Sequence, residues 1–234
     1  MIVHSIFDLL AWLAGGMLGW WIRRVGLLSG VALPKIAGDP AYFIVLALGA
    51  IAGAIALGSV NLDLAGLAPL GHSIAGALAG GIIAVEGLKL ARGTRSSTGL
   101  GFVAPLALGI AVGRLGCFFA GLPDYTYGTA TALPWGVDFG DGVIRHPVQL
   151  YESLAMLAFL GVFLPALRAR SALVLQNGFY LFIAWYGAQR FAWEFLKPYP
   201  RLLGPLNLFH LACLALLIYS AFMMRRNHEL VARR

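Results

Sequence analysis

Long apolar stretches alternate with short polar interruptions along nearly the whole chain. A helix that crosses a bilayer needs about 20 consecutive apolar residues. Segments of this kind lie at about 4–22, 41–60, 70–90, 99–121, 147–167, 172–196 and 204–224. Because backbone inside lipid must satisfy its own hydrogen bonds, each segment is predicted to be a helix. The predicted fold class is therefore all-α, a polytopic membrane helix bundle with about seven transmembrane helices, forming a single transmembrane domain over residues 1–234.

The composition supports a membrane protein and excludes an ordinary water-soluble domain. Of the 234 residues, 60% are hydrophobic and only 12% are charged, whereas soluble domains are about half apolar and about a quarter charged. The first apolar segment precedes Arg23 and Arg24, the reverse of the order in a cleavable signal peptide, so a retained first span is expected. Cys117 and Cys213 lie in apolar segments, which favours buried free thiols over a disulfide framework.

Positive charge is distributed unevenly between the two predicted sides of the membrane. The formal net charge is +7, but its placement indicates membrane orientation and not binding to nucleic acid. With seven spans, one side collects Arg23, Arg24, Lys35, Lys89, Arg92, Arg95, Arg168, Arg170, Arg225, Arg226, Arg233 and Arg234. The other side and the spans keep Arg114, Arg145, Arg190, Lys197 and Arg201. Because Lys and Arg concentrate in cytoplasmic loops, the N-terminus and the polar loop at about 122–146 are expected outside and the C-terminus in the cytoplasm.

A few ionisable residues lie inside the predicted spans, where a charge is costly and indicates function by default. Arg114 lies in span four, flanked by glycines that leave room for a bulky ligand. In span six, Arg190 and Glu194 are one helical turn apart on one face, with Tyr186 a turn earlier. One interpretation is a purely structural ion pair between Arg190 and Glu194. The other is that Arg114 and Arg190 bind an anionic lipid headgroup, because arginine suits bidentate contact with phosphate.

The exit of the outer loop carries the densest motif, RHPVQLYE at 145–152. His146 either carries a proton, because histidine titrates near neutral pH, or anchors the loop. Glu152 either belongs to a site or interacts with a helix N-terminus. No metal-ligand spacing or cofactor motif is apparent, so neither a metal nor a cofactor is expected.

Several motifs occur in one order over about 75–195: GRLGCFFAG, a later YG, PWGVDFGDG, RHPVQLYE and YGAQRFAWEF. Together they resemble the prolipoprotein diacylglyceryl transferase family. The resemblance implies a bacterial inner-membrane enzyme that moves the diacylglyceryl group of phosphatidylglycerol onto a cysteine thiol of a lipoprotein precursor, with glycerol phosphate as leaving group. Phosphatidylglycerol or a similar anionic phospholipid is the implied ligand, and a lipoprotein-precursor signal peptide the possible protein partner.

The resemblance and the buried charges together define a set of candidate site residues. The catalytic candidates are Arg114, Arg190, Glu194, His146 and His72. The candidates for substrate binding are Arg114, Arg190, Gly116, Cys117, Gly128, Arg145, Gln149, Tyr151, Glu152 and Tyr186. His146 or His72 would take the proton of the acceptor thiol, and His146 is preferred because its motif is intact.

The sequence also departs from the family pattern. The third span of the family usually carries His-Gly-Gly, whereas the equivalent positions here are Ala75, Gly76 and Ala77, three residues after His72. The asparagine common after GRxG is Cys117, and the glutamate that follows falls near Leu122, with Asp124 the nearest acid.

These departures predict a divergent paralogue and leave three functions open. The first is diacylglyceryl transfer to a lipoprotein cysteine. The others are a related phospholipid-dependent transfer to a different acceptor, and lipid binding or transport without catalysis. An ion channel is disfavoured, because the sequence has no ring-forming polar repeat.

Overall fold

The computed structural model describes residues 2–31, 34–67 and 70–232. Within these ranges seven long helices follow one another along the chain: α1 Ile2–Arg24, α2 Pro40–Leu64, α3 Ile74–Ala91, α4 Val103–Ala120, α5 Val148–Arg168, α6 Ala172–Glu194 and α7 Leu208–Ala232. All except α6 are long and apolar enough to cross a membrane. Helix α6 carries the two charged residues Arg190 and Glu194 near its end. The prediction of an all-α membrane bundle with about seven spans is confirmed.

Local structure marks where α3, α4 and α7 begin. The side chain of Ser73 accepts a hydrogen bond from the backbone N–H of Gly76, so α3 begins at Ile74. A single turn of 3-10 helix at Leu100–Phe102 precedes α4. A two-stranded hairpin, β3 Arg201–Leu203 and β4 Leu206–Asn207, precedes α7. Its turn contains Gly204 at a φ of 55°, a conformation that favours glycine.

The described residues fall into two compact units, and the single-domain organisation expected from the sequence stays a prediction. The first unit comprises residues 1–30 and 99–198, with helices α1, α4, α5 and α6. The second comprises residues 31–98 and 199–234, with helices α2, α3 and α7. The three charged residues singled out inside the spans, Arg114, Arg190 and Glu194, lie in the first unit.

Helices of the first unit pack through small residues and interhelical hydrogen bonds. A Cβ added at Gly116 of α4 would lie 2.5 Å from the Cβ of Phe7, so glycine allows α1 to approach closely. The buried hydroxyl of Ser153 on α5 donates to the carbonyl of Ala111 on α4 at 2.8 Å. The indole of Trp185 on α6 donates to the carbonyl of Ala155 on α5 at 2.9 Å. These hydrogen bonds hold α5 against α4 and α6 against α5.

The second unit is built on a close α2–α3 contact. A Cβ added at Gly53 of α2 would lie 2.9 Å from the Cα of Gly80 on α3. Tyr219 of α7 donates a hydrogen bond to Glu86 of α3 at 2.8 Å, which ties the third helix of this unit to the pair.

The polar loop between α4 and α5 is folded. It begins with a 3-10 turn at Leu122–Asp124 and contains a short antiparallel hairpin, β1 Val137–Asp138 with β2 Ile144–Arg145. A carboxylate oxygen of Asp138 accepts three backbone N–H bonds in the turn, from Gly140, Asp141 and Gly142, at 2.8, 3.1 and 3.1 Å. This arrangement fixes the hairpin that leads into RHPVQLYE.

Candidate functional site

Five charged side chains lie together inside the first unit. Arg114 comes from α4, Glu152 from α5, Arg190 and Glu194 from α6, and Lys197 from the turn after α6. None is more than 5% exposed. We call this group the ion cluster.

Glu152 is the centre of the ion cluster. One of its carboxylate oxygens lies 2.5 Å from Nε of Arg114. The other accepts from Nη1 of Arg190 at 2.7 Å and from Nζ of Lys197 at 2.8 Å. The sequence suggested a cap interaction as one reading of Glu152, but the structure shows that it joins three helical segments through charge.

Glu194 is the second carboxylate of the ion cluster. It pairs with Nε of Arg190 at 2.5 Å, and its distance to Nζ of Lys197 is 3.7 Å. The Arg190–Glu194 pair considered from the sequence therefore exists, but as one edge of a larger network. Arg114, which has no acidic partner in its own helix, is paired through α5.

The ion cluster carries more positive than negative charge. Three cationic side chains face two carboxylates, which leaves one positive charge in excess when all are ionised. Burial lowers the pKa of Lys197, Arg190 acts in the same direction, and Glu152 and Glu194 oppose them. An uncompensated buried charge is expensive. An anion at the ion cluster would remove the excess.

Sequence reasoning missed Lys197 as a site residue, because it follows the last predicted turn of span six and precedes Pro198. In the structure its backbone N–H donates to the carbonyl of Glu194 at 3.2 Å. The carbonyl of Leu196, the residue before Lys197, accepts a hydrogen bond from the backbone N–H of Thr129 at 2.6 Å. This bond holds the turn after α6 against the loop between α4 and α5. The spacing could have indicated it, because Lys197 follows Glu194 by three residues and would lie beside it on a helical turn.

The RHPVQLYE segment forms a second group of contacts beside the loop. Nδ1 of His146 is 3.4 Å from the hydroxyl of Tyr151, and that hydroxyl accepts from the indole of Trp135 at 2.8 Å. Gly128 donates its N–H to the carbonyl of His146, and a Cβ there would lie 2.5 Å from the same oxygen. The motif glycine therefore allows the loop to pass close to His146.

Other predicted site residues have different surroundings. Gln149 is completely buried, and its amide atoms have no hydrogen-bond partner within the described residues. Tyr186 is buried within the first unit. Arg145 is bound in its own loop, where Nη1 is 2.6 Å from Asp141 and the guanidinium lies over the ring of Tyr127. The hydrogen bond from Arg145 lowers the pKa of Asp141.

The histidine candidates differ in position. His146 is half-buried in the first unit, whereas His72 is exposed and belongs to the second unit, directly before the cap residue Ser73. Ala75, at the position of the family histidine, is buried. The role of each histidine stays a prediction.

A third group of contacts brings Cys117 together with His4 and Asp124, which the sequence did not predict to be its neighbours. Nε2 of His4, on α1, lies 3.6 Å from the thiol sulfur of Cys117 and 3.3 Å from a carboxylate oxygen of Asp124. Burial alone would raise the pKa of Asp124, but hydrogen bonds from His4 and Thr126 hold it below the ordinary value. Nη1 of Arg114 is 3.8 Å from the same sulfur, so Arg114 links this group to the ion cluster.

The fold and the site define a class: a multi-span membrane protein whose helix bundle buries a charged cluster with a positive excess. The family model for prolipoprotein diacylglyceryl transferase matches residues 10–226. The chain belongs to this family, and the resemblance inferred from the motifs is confirmed.

Curated relatives carry the name phosphatidylglycerol–prolipoprotein diacylglyceryl transferase. The protein from Solidesulfovibrio magneticus is 38% identical over 137 residues, covering 53% of this chain and 49% of the relative. That from Geobacter sulfurreducens is 44% identical over 99 residues, covering 40% and 36%. That from Polynucleobacter asymbioticus is 33% identical over 165 residues, covering 67% and 61%. The chain thus spans less than two thirds of the length of these relatives. No solved structure matches the chain.

Proposed function

We propose that this protein is a membrane transferase that moves the diacylglyceryl group of phosphatidylglycerol onto the cysteine thiol of a lipoprotein precursor and releases glycerol phosphate. The observation that carries the proposal is the ion cluster, which places two arginines and a lysine around two carboxylates in the bundle interior. Family membership and the names of the relatives support this reaction.

The chemistry requires stabilisation of a departing phosphate. The acceptor sulfur forms a bond to the glyceryl carbon, the bond from that carbon to the phosphate oxygen breaks, and its electron pair leaves with the oxygen. The phosphodiester thereby becomes a phosphomonoester with additional negative charge. Arg114 and Arg190 would receive that charge in a site that excludes water, where one well-placed donor is worth about 3–4 kcal/mol.

Glu152 and Glu194 hold the arginines in place before the lipid arrives. Each guanidinium has its Nε within 2.5 Å of a carboxylate oxygen, which fixes its plane. Lys197 contributes a third cation on the same carboxylates. Pre-orientation of this kind reduces the reorganisation needed as the leaving group gains charge.

A base must take the proton of the acceptor thiol, because the thiolate is the nucleophile. His146 is our candidate, since it lies in the first unit with the ion cluster and contacts Tyr151 of the same motif. His72 is the other candidate. The glycine at 128 and the buried residues Gln149 and Tyr186 are proposed to shape the lipid pocket.

The proposed orientation places the N-terminus and the 122–146 loop outside the inner membrane, with the C-terminus in the cytoplasm. The unequal distribution of Lys and Arg supports it. The partners proposed are phosphatidylglycerol and the signal peptide of a lipoprotein precursor.

A non-catalytic lipid-binding protein is the second candidate. It is favoured by Ala75, which has no titratable group at the position of the family histidine and is buried in the second unit. A related transferase with a different acceptor would use the same ion cluster.

These candidates are separated by a transfer assay. The purified protein is placed in phosphatidylglycerol bilayers with a signal peptide that carries one cysteine, and mass spectrometry follows the peptide while glycerol phosphate is quantified. We expect diacylglyceryl-peptide and glycerol phosphate with the wild type, and a loss of about 100-fold or more with Arg114→Gln or Arg190→Gln. Arg95→Gln, at an exposed position between α3 and α4, is the matched control.

Three results would contradict the proposal. Full activity in both site variants would exclude the ion cluster from catalysis. Phospholipid bound and recovered intact, without glycerol phosphate, would favour the non-catalytic candidate, whereas glycerol phosphate without a modified peptide would indicate another acceptor.

A further inference from the structure

The group formed by His4, Cys117 and Asp124 has the donor set of a transition-metal site. A ring nitrogen, a thiol sulfur and a carboxylate oxygen lie within 4.8 Å of one another. We infer that these three residues bind Zn²⁺ or a similar divalent metal and leave a fourth coordination position for the thiol of the acceptor cysteine. The role of the bound metal rests on the proposed function, whereas the existence of the site does not.

Two of the three distances between the donor atoms fit tetrahedral zinc. With usual bond lengths, such an ion separates a sulfur and a nitrogen ligand by about 3.6 Å and a nitrogen and an oxygen ligand by about 3.4 Å. The corresponding distances here, from Nε2 of His4, are 3.6 Å to the sulfur of Cys117 and 3.3 Å to the carboxylate of Asp124. The sulfur of Cys117 and the carboxylate of Asp124 lie within 4.8 Å of each other, against about 3.5 Å around a tetrahedral ion, so metal binding would require these two side chains to shift toward each other.

His4 and Asp124 each have a second polar contact, through the ring nitrogen or carboxylate oxygen that would not bind the metal. Nδ1 of His4 is 2.8 Å from the carboxylate of Asp8, which holds a proton on Nδ1, so Nε2 is the nitrogen that would give up its proton to bind the metal. Metal-binding histidines usually have such a carboxylate partner. The second oxygen of Asp124 accepts from Thr126 at 2.5 Å, so its first oxygen can face the metal.

The position of the site gives the metal a chemical role. Three protein ligands and one open position are typical of catalytic zinc. Arg114 touches Cys117 at 3.8 Å and Glu152 of the ion cluster at 2.5 Å, so the metal site and the phosphate site share one residue. Because His4 is only partly buried, the site opens to the surface of the first unit.

A coordinated thiol loses its proton outright. The acceptor cysteine would release its proton to water on binding the metal, and its sulfur electron pair would form the bond to the glyceryl carbon. The electron pair of the broken carbon–oxygen bond would leave with glycerol phosphate, so no oxidant or reductant is needed. On this inference the metal, in place of His146 or His72, would cause the acceptor thiol to lose its proton, and Ala75 stands at the position of the family histidine.

Cobalt substitution tests the site directly, because Co²⁺ bound to a thiolate gives a near-ultraviolet charge-transfer band. The full-length protein is purified in detergent, stripped with a chelator and titrated with Co²⁺ and then Zn²⁺. We expect one equivalent of Co²⁺ to produce the band and Zn²⁺ to abolish it. Cys117→Ser and His4→Ala should remove the band, whereas Cys213→Ser, at the second buried cysteine, should retain it.

Replacing a metal ligand could impair folding, so a second variant leaves all three ligands in place. Asp8→Asn preserves the three ligands but weakens the support of His4, so we expect Co²⁺ affinity to fall about 10–100-fold. No stoichiometric band, or a band unchanged in Cys117→Ser, would overturn the inference and identify the group as a hydrogen-bond network only.

The transfer assay separates this inference from the proposed function. Loss of transfer in the stripped protein and recovery with Zn²⁺ would support the role of the metal. Equal transfer with and without metal would overturn that role and leave the transferase intact. A metal site that behaves as expected in a protein that transfers nothing would overturn the proposed function alone.

Discussion

Neutralising the central carboxylate should destabilise the protein far more than removing one of the cations around it. Glu152 is 1% exposed and contacts Arg114, Arg190 and Lys197. In Glu152→Gln, the ion cluster would keep three cations and one carboxylate, that of Glu194, and its positive excess would rise from one charge to two. In Lys197→Met, two cations would face two carboxylates, and the excess would vanish.

The expected sizes of the two effects differ clearly. Removing one partner of a buried ion pair costs about 3–5 kcal/mol. For a chain of this length, each kcal/mol shifts the melting temperature by about 2–4 °C, so Glu152→Gln should lower it by about 6–20 °C. Lys197→Met replaces a buried charge with an apolar side chain of similar length and leaves the remaining charges balanced, so its cost should be well below about 3 kcal/mol.

Thermal unfolding of the purified proteins in one detergent, followed by intrinsic fluorescence, measures both variants. Glu229→Gln is the matched control, because its pair with Arg225 is solvent-exposed and exposed pairs contribute at most about 1 kcal/mol. Equal destabilisation by Glu152→Gln and Lys197→Met would refute the charge balance derived for the ion cluster. So would a Glu152→Gln protein as stable as the control.

Three further predictions test other parts of the structure. Gly128→Ala should lower the melting temperature and the transfer rate, because its Cβ would lie 2.5 Å from the carbonyl oxygen of His146. Gly87→Ala is the control and should lower neither, because no atom lies within 4 Å of a Cβ at that position. Equal stability of the two variants would contradict the loop geometry. Ser153→Ala removes the hydrogen bond from α5 to α4 and should cost about 0.5–1.5 kcal/mol in thermal unfolding; no loss would show that this bond does not stabilise the pair. For orientation, Asp141→Cys should react with a membrane-impermeant maleimide from outside the inner membrane, whereas Arg95→Cys should react only after lysis, and the opposite pattern would contradict the proposed topology.

Features of the fold that depend on local sequence were predictable. Apolar length marked the helices, because lipid leaves a backbone no alternative to internal hydrogen bonds. The hairpin before α7 was not predicted, because the last span was predicted to begin at about 204 and so included the second strand, Leu206–Asn207. The hairpin formed by β1 and β2 depends on the side chain of Asp138, which accepts hydrogen bonds in its turn. The pattern of apolar residues does not predict such contacts.

The ion cluster was predictable only in part. Arg114, Arg190 and Glu194 stood out because charge inside a span is expensive. The central position of Glu152 and the inclusion of Lys197 depend on how α4, α5 and the turn after α6 pack, which spacing along one helix does not specify. The group of His4, Cys117 and Asp124 was missed for the same reason, since 113 residues separate His4 from Cys117.

The central claim is that the ion cluster directs cleavage between the diacylglyceryl group and the phosphate of phosphatidylglycerol. Its most direct test uses phosphatidylglycerol that carries one isotope in the diacylglyceryl part and another in the headgroup glycerol, with the cysteine peptide as acceptor. The account predicts that the first isotope appears on the peptide and the second in free glycerol phosphate, in equal amounts, and that Arg190→Gln abolishes both. Both isotopes remaining together in intact lipid bound to the wild-type protein would contradict it.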